Sequence, residues 1–271
     1  MITASVVLYN TAKDLLEKLI CSYQPCKERY LYIIDNSPQR LECPDVIDSP
    51  NVCYIYNGAN IGYGAAHNIG IREAIKKNSK YHIVLNPDIE FETKVLDELI
   101  QYADGNSDVV YILPKVLYPN GEVQYLCKLL PTPFNLIFRR FLPRFKWVAE
   151  CDRKYTLQDF GYDKIINPPC LSGCFMFMRT ATLSEHQIEF DDRFFMYFED
   201  FDLIRRLHRV GKTIFYPYVS IIHNHAKESY KSKKMLKIHI ASAIKYFNKY
   251  GWFVDLERKR MNQNVLEEIM K

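Results

Sequence analysis

The sequence has no strong excess of either charge. Lysine and arginine number 36 against 32 acids, a net charge of +4 over 271 residues. That excludes the basic domain a dedicated nucleic-acid binder carries. No CxxC pair occurs among the eight cysteines, so a zinc ribbon or a thioredoxin-like site has no support. The opening MITASVVLYNT lacks the basic segment and long apolar core of a secretory leader. No run reaches the roughly 18–20 apolar residues that span a bilayer. There is no internal repeat and no GxGxxG dinucleotide fingerprint. What remains is a globular composition, 48% hydrophobic and 25% charged. A chain of this length hides roughly 70–75% of the surface its unfolded form exposes and needs no covalent staples. The expectation is a reduced, cytoplasmic protein.

Over the first 110 or so residues, short apolar runs alternate with amphipathic stretches. Residues 2–8, 30–34, 52–56, 81–85 and 109–113 read as strands, and 12–21, 64–75 and 94–102 carry apolar residues at helical spacing. That alternation predicts right-handed crossovers and an α/β fold with a mainly parallel central sheet flanked by helices. Ligands then bind beyond the carboxyl ends of the strands. Those ends carry Tyr9-Asn10, Asp35-Asn36, Asn57 to Asn60 and Asn86-Pro87-Asp88.

After residue 113 the pattern changes. Pro119-Asn120-Gly121-Glu122 reads as a hairpin turn between 115–118 and 123–126. Residues 168–178 read as a buried strand, 199–209 as a helix, 213–216 and 219–222 as two short strands, and 230–249 as a long amphipathic helix with a basic solvent face. Between Val123 and Ala149 there is no acid, while Lys128, Arg139, Arg140, Arg144 and Lys146 sit among Phe134, Phe138, Phe141, Phe145 and Trp147. This stretch reads either as a face for a membrane surface or anionic partner, or as an insertion whose aromatics complete the core.

Four constellations carry chemistry. Asn86-Pro87-Asp88 ends an apolar strand on a carboxylate, which suits either a turn or a hard divalent ion shared with diphosphate oxygens. Phe194 to Phe198 run straight into Glu199-Asp200-x-Asp202. Acids there favour a helix start, and a carboxylate against aromatics also rises towards the general-base range. The small residues of Asn60-Ile61-Gly62-Tyr63-Gly64-Ala65-Ala66-His67-Asn68-Ile69-Gly70 suit close helix packing or the approach of an anion or sugar. His223 and His225 alternate on an extended segment, so they point to opposite faces and do not share one ion.

The ordered set of these segments resembles the family 2 glycosyltransferases of GT-A fold, particularly their bacterial rhamnosyltransferase-like branch. The residues that carry the likeness are Val6-Val7-Leu8-Tyr9-Asn10, Ile34-Asp35-Asn36-Ser37, Asn60-x-Gly62-x-Gly64-x-x-x-Asn68-x-Gly70, Leu85-Asn86-Pro87-Asp88, Gly173-Cys174-Phe175, and Phe195-Met196-Tyr197-Phe198-Glu199-Asp200-x-Asp202. The likeness covers residues 2 to about 229, with 126–165 unmatched. It implies that Asp35 hydrogen-bonds the nucleobase, with Tyr9, Asn10 and Asn36 around that pocket and Asn60, Gly62 and Asn86 along the nucleotide. It implies that Asp88, the last position of a DxD-type motif, holds Mg²⁺ or Mn²⁺ against the donor diphosphate. Asn86 stands where that motif has its first acid, a departure that bears on metal affinity. Asp200 aligns with the inverting catalytic base, Glu199 orients it or the acceptor, and His223 falls near the metal, with His225 as the competing choice.

The resemblance further implies one GT-A domain over 1–225, made of a nucleotide-binding half 1–113 and an acceptor half 114–225 with a variable insertion 126–165. A basic helical extension, 226–271, follows. The donor implied is a nucleotide sugar, dTDP-rhamnose favoured and a UDP-sugar the other choice. The acceptor implied is a saccharide, lipid-linked, for surface polysaccharide such as O-antigen or capsule. Contact with an anionic membrane at the inner face of the plasma membrane suits the basic stretches. Two rivals stay open. A sugar-nucleotide nucleotidyltransferase would show a Gly-rich signature with a basic residue right after the first strand, where this chain reads LYNTAKD. A non-catalytic nucleotide- or glycan-binding module would need no base.

Overall fold

The computed structural model describes residues 1–42, 49–141, 145–224 and 232–270, side chains at 138–141 excepted. Strand β1 (Ile2–Leu8) is buried along its whole length, as a β-branched run covered on both faces must be. The strands β2 (Arg29–Asp35) and β4 (Tyr81–Leu85) flank it in parallel, and β3 (Val52–Tyr56) pairs in parallel outside β2. Helices α1 (Lys13–Tyr23) and α2 (Tyr63–Lys76) lie in the connections. Next come β5 (Ile89–Glu90), α3 (Lys94–Gly105), β6 (Val109–Leu117), β7 (Phe175–Arg179) and β8 (Lys212–His223). The sheet order is β3-β2-β1-β4-β7-β6-β8-β5.

The sheet is mixed: mainly parallel, as expected, with three antiparallel pairings in its second half. Strand β7 runs antiparallel to both β4 and β6, and β5 runs antiparallel to β8. An antiparallel strand begins where its parallel neighbours end. The residues before β7 are thereby brought beside the carboxyl end of β4, where the Asn86 N–H donates to the Cys174 carbonyl at 2.9 Å.

Three local expectations differ in detail. The stretch 168–178 becomes a strand only from Phe175; Pro168, Pro169 and Gly173 precede it, and Pro and Gly weaken a ladder. The turn at 119–122 forms, with the Gly121 N–H on the Tyr118 carbonyl at 2.9 Å, but only a single bridge, Leu117 with Val123, follows it. The two short strands near 213–222 are one, β8, with a register shift between Tyr216 and Ser220. Pro217 lies in that bulge, the place where a strand tolerates a residue without a donor.

Beneath α2 a polar chain replaces apolar packing. Ser5 Oγ lies 2.8 Å from His67 Nδ1 and 2.9 Å from His82 Nε2, and His82 Nδ1 lies 2.9 Å from Thr3 Oγ1. Burial lowers both histidines, His82 to about 3, so both are neutral at physiological pH. The helix comes this close because of Gly70, where a Cβ would sit 2.5 Å from Ser5 Cβ.

Helices α4 (Pro133–Phe141) and α5 (Lys146–Tyr155) occupy the basic, aromatic stretch, α6 (Thr180–Glu185) follows β7, and α7 (Glu199–Leu207) packs on β6 and β8. The chain closes with α8 (Lys233–Tyr250) and α9 (Leu256–Ile269), so the basic helical extension is two helices. Asp255 caps α9 by accepting the Arg258 N–H at 2.9 Å. Among the described residues, no helix is long and apolar enough to cross a membrane.

Charge ties the two C-terminal helices to α7. Arg205, 1% exposed, donates to both oxygens of Asp255 at 2.7 and 2.8 Å and to Glu257 at 2.7 and 2.9 Å. Its guanidinium lies 4.0 Å from the Tyr250 ring centroid. Arg209 adds bonds to Glu257 at 2.6 and 2.7 Å. Hydrogen bonds from Arg209, opposed by burial and joined by those from Arg205, hold the Glu257 carboxyl at about 2, below its ordinary 4.5. A depressed carboxylate contributes stability above its unfolded pKa, and that contribution is lost as the pH falls through the folded one. Stability is therefore expected to drop from about pH 4.5 to about pH 2, and Glu257→Gln to flatten that part of the profile. Urea unfolding across the range checks it.

Candidate active site

The carboxyl edge of β1 and β2 opens into a cleft of about 680 Å³ lined by Leu8, Asn10, Asp35, Ser37, Arg40 and neighbours. Asp35 is fully buried at its floor. Its Oδ1 accepts the Ser37 N–H at 2.9 Å, and its Oδ2 accepts the Tyr54 hydroxyl at 2.5 Å and the Leu41 N–H at 3.1 Å. Burial, then the bond to Asp35, pushes the Tyr54 phenol up to about 12, so it remains a donor. Tyr9 is exposed at the mouth. Asn10 adopts a left-handed backbone, φ 51°, with its N–H on Ser37 Oγ at 2.9 Å.

The glycine-bearing segment docks one loop on another. Asn60 Oδ1 accepts the Gly62 N–H at 3.0 Å, and the buried Asn36 amide donates to Asn60 at 3.4 Å and to the Gly62 carbonyl at 3.2 Å. Gly62 has φ 98°, and a Cβ there would sit 2.7 Å from the Phe195 carbonyl oxygen, so only glycine fits. The next residue, Tyr63, donates its N–H to that same carbonyl at 2.9 Å. The Asn68 side chain bonds both the N–H and the carbonyl of Phe190, at 2.8 and 2.9 Å. Asn36, Asn60, Gly62 and Asn68 thus hold loop 190–198 against the start of α2.

That loop delivers the acids. Tyr197 and Phe198 both have φ 68°, a left-handed backbone that costs of order 1–3 kcal/mol at each non-glycine residue. Helix α8 holds them there: Ser242 Oγ donates to the Met196 carbonyl at 2.8 Å, Lys245 to the Arg193 carbonyl at 2.6 Å, and Phe198 packs with Phe194, Tyr246 and Phe247. Asp202, also fully buried, is used for anchorage, accepting the Tyr250 hydroxyl at 2.6 Å and Arg206 at 2.8 Å.

Glu199 and Asp200 open α7. Asp200 accepts the Phe201 N–H at 2.9 Å and the Gly173 N–H at 3.2 Å. Burial raises its pKa, against the lowering effect of the Lys128 charge and these N–H groups. Glu199 is 6% exposed and its Oε2 has no hydrogen-bond partner. Burial, then the charge of Asp200, pushes its carboxyl well above the ordinary value. Of these two adjacent carboxyls, burial and the neighbouring charge favour the protonated form more strongly at Glu199 than at Asp200, which Lys128 and two N–H groups steady as a carboxylate.

The end of β4 forms the other wall. Asn86 Oδ1 accepts the Tyr63 hydroxyl at 2.9 Å, and that hydroxyl lies equally close to the Gly173 carbonyl. Asp88 Oδ1 stands 3.4 Å from His223 Nε2. The sheet makes this meeting, because His223 ends β8 opposite Ile89 of β5. Gln124 fixes the ring, its Oε1 3.0 Å from His223 Nδ1 and its Nε2 donating to the His223 carbonyl at 2.8 Å. Burial lowers the imidazole pKa, but Cys174 and Asp88 outweigh it and carry the value up to about 10. His225 lies outside the described residues. Among those described, no three His, Cys, Asp or Glu side chains converge as a metal cage. Asp88 offers one oxygen, and His223 one nitrogen once its proton is released to an incoming cation, a donor pair that fits Mg²⁺ or Mn²⁺ completing its shell with water and diphosphate oxygens.

Sequence reasoning missed the residue at the centre. Tyr63 is packed beside Glu199, Asp200 and Asp88, and burial first, then its acidic surroundings, raises its pKa well above 10. Its one sequence signal was an aromatic hydroxyl within a run of small residues. Lys128 and Gln124 were missed too, since their partners lie far along the chain.

Comparison with known proteins gives the same outline. The family model described as Glycosyl transferase family 2 matches residues 4–182. The N-acetylglucosaminyl-diphospho-decaprenol L-rhamnosyltransferase of Mycobacterium tuberculosis is 25% identical over 234 residues, covering 78% of this chain and 72% of that protein. The low-salt glycan biosynthesis hexosyltransferase Agl10 of Haloferax volcanii is 24% identical, covering 77% of this chain and 63% of that protein. Among solved structures, GalNAc-T7 with UDP, GalNAc and Mn²⁺ matches with TM-score 0.62 at 16% identity, over 93% of this chain and 49% of that one. S. aureus TarS matches with TM-score 0.57 at 14% identity, over 99% of this chain and 42% of that one.

Proposed function

The chain belongs to glycosyl transferase family 2, and from that premise we propose that it transfers a sugar, with inversion, from a nucleoside diphosphate to a hydroxyl of a lipid-linked saccharide. The observation that carries the reading is the meeting of Asp88 and His223 with Glu199-Asp200 around Tyr63, whose hydroxyl reaches Asn86 and the Gly173 carbonyl. Rhamnose from a dTDP donor is the favoured sugar, by analogy with the mycobacterial relative, and surface polysaccharide assembly is the setting.

In this reading the nucleobase enters the cleft over Asp35 beside Tyr9 and Asn10, and the nucleotide runs past Asn60, Gly62 and Asn86 towards Asp88. Asp88, and His223 once deprotonated, would hold Mg²⁺ or Mn²⁺, which would supply positive charge against the leaving diphosphate. Asp200 takes the proton of the acceptor hydroxyl as that oxygen attacks the anomeric carbon. Its raised pKa suits proton transfer near neutrality, while the two backbone N–H groups fix its orientation. Glu199, protonated, keeps a second negative charge out of the pocket and orients the acceptor. No second nucleophile is needed, since attack opposite the leaving group completes the transfer in one displacement.

Thermal unfolding with dTDP, UDP and GDP, each with Mn²⁺ or EDTA, tests the donor site. One nucleotide is expected to stabilise the protein in a metal-dependent way, since a ligand at ~100 times its dissociation constant adds about 2.7 kcal/mol. A protein indifferent to all three has no donor site of this kind.

A further inference from the structure

Two segments far apart in sequence meet in one exposed apolar surface. The connection between α8 and α9, Trp252-Phe253-Val254-Asp255-Leu256, turns its apolar side chains outward: Phe253, Val254 and Leu256 are 74%, 79% and 77% exposed. Asp255 points the other way, into its pair with Arg205, so the tip shows no acid of its own. Phe253 meets Phe134 of α4, ring centroids 6.4 Å apart. Phe134 and Trp147 line one small cavity of about 120 Å³, and the Phe145 ring lies 6.5 Å from that of Trp147. Phe134, Phe145 and Trp147 are each about half exposed. A monomeric soluble surface rarely gathers large side chains this way unless something covers them.

The charge around the patch selects the cover. Lys146 adjoins Phe145 and Trp147, and Lys259 and Arg260 are exposed in the turns of α9 that follow the tip, three cations against Glu150 and Asp152 beside Trp147 on α5. Apolar tips with tryptophan nearby and a basic surround match a bilayer interface that carries negative headgroups. A second copy of the chain would instead meet like charges.

We propose that the surface formed by Phe134, Phe145, Trp147 and the Phe253-Val254 tip is a docking face for an anionic lipid bilayer. It adjoins the support of the acid pair: Leu136 of α4 packs on the same aromatic cluster, Phe194, Phe198, Tyr246 and Phe247, that holds the turn before Glu199. A membrane held there would present a lipid-linked acceptor to Asp200, a purpose that rests on the proposed function, although the binding does not depend on it.

The test is co-sedimentation of the full chain with vesicles of phosphatidylcholine alone and of phosphatidylcholine with about one-third phosphatidylglycerol. The expected result is partition at least ~10-fold stronger onto the anionic vesicles, weakening as salt rises. The double variant Phe253→Ser, Val254→Ser is expected to lose at least ~10-fold of that partition, with its melting temperature unchanged because both side chains already face solvent. Equal partition onto both vesicles, or none onto either, overturns the proposal. So does concentration-dependent self-association that the double variant abolishes while vesicles are ignored, which would make a second copy the occupant. Nucleotide stabilisation measured on the same preparations separates the two readings: if it persists without vesicle binding, the docking face alone is wrong.

Discussion

Asp200→Asn is expected to slow sugar transfer by about 10²–10⁴-fold, the usual worth of a positioned general base, while nucleotide-dependent stabilisation stays at the wild-type level. The substitution keeps size and shape. An asparagine oxygen still accepts one of the two N–H groups, from Phe201 or Gly173, that now bind the carboxylate, so the start of α7 has reason to stay folded. What it removes is the capacity to take a proton. Glu199→Gln at the neighbouring position is not expected to mimic it, because burial and the charge of Asp200 favour the protonated form there. Single-turnover transfer, with melting curves as the folding control, distinguishes loss of the base from loss of structure. A variant that transfers at the wild-type rate assigns the deprotonation to another group.

The second large effect is expected at Asp88. Removing the carboxylate in Asp88→Ala should abolish the metal-dependent part of nucleotide stabilisation and slow transfer by about 10²–10³-fold, the rate equivalent of several kcal/mol of charge neutralisation at a leaving diphosphate. The backbone link made by this residue, its carbonyl accepting the Asn224 N–H at 3.0 Å, survives the change, so β5 and β8 keep their junction. Nucleotide binding that is equal in Mn²⁺ and EDTA for both proteins would remove Asp88 from the metal site.

Much of this frame was legible in the sequence, for physical reasons that also say where legibility stops. Strands 52–56 and 81–85 have the expected bounds because a short β-branched or aromatic run closed by Asn or Gly has few other ways to be buried. The acids after Phe198 likewise announced a helix start, and α7 begins at Glu199. The direction of β7 was not legible: a buried run reads alike parallel or antiparallel, and its neighbours are chosen by tertiary packing. Nor was the job of Asn60, Gly62 and Asn68 readable, since the loop they hold lies some 130 residues further on. The clamp of α8 on a strained Tyr197-Phe198 turn escaped for the same reason. Sequence pattern shows which side chains can do chemistry, whereas their support comes from contacts between distant segments.

The measurement that tests the account most directly is the anomeric configuration of the transferred sugar, read by NMR on the product formed from whichever nucleotide sugar the thermal panel selects. A base at Asp200 working opposite a leaving diphosphate held at Asp88 gives a product inverted at the anomeric carbon. A product of retained configuration would contradict it, because two displacements would then require a nucleophile that this reading of the cleft does not contain.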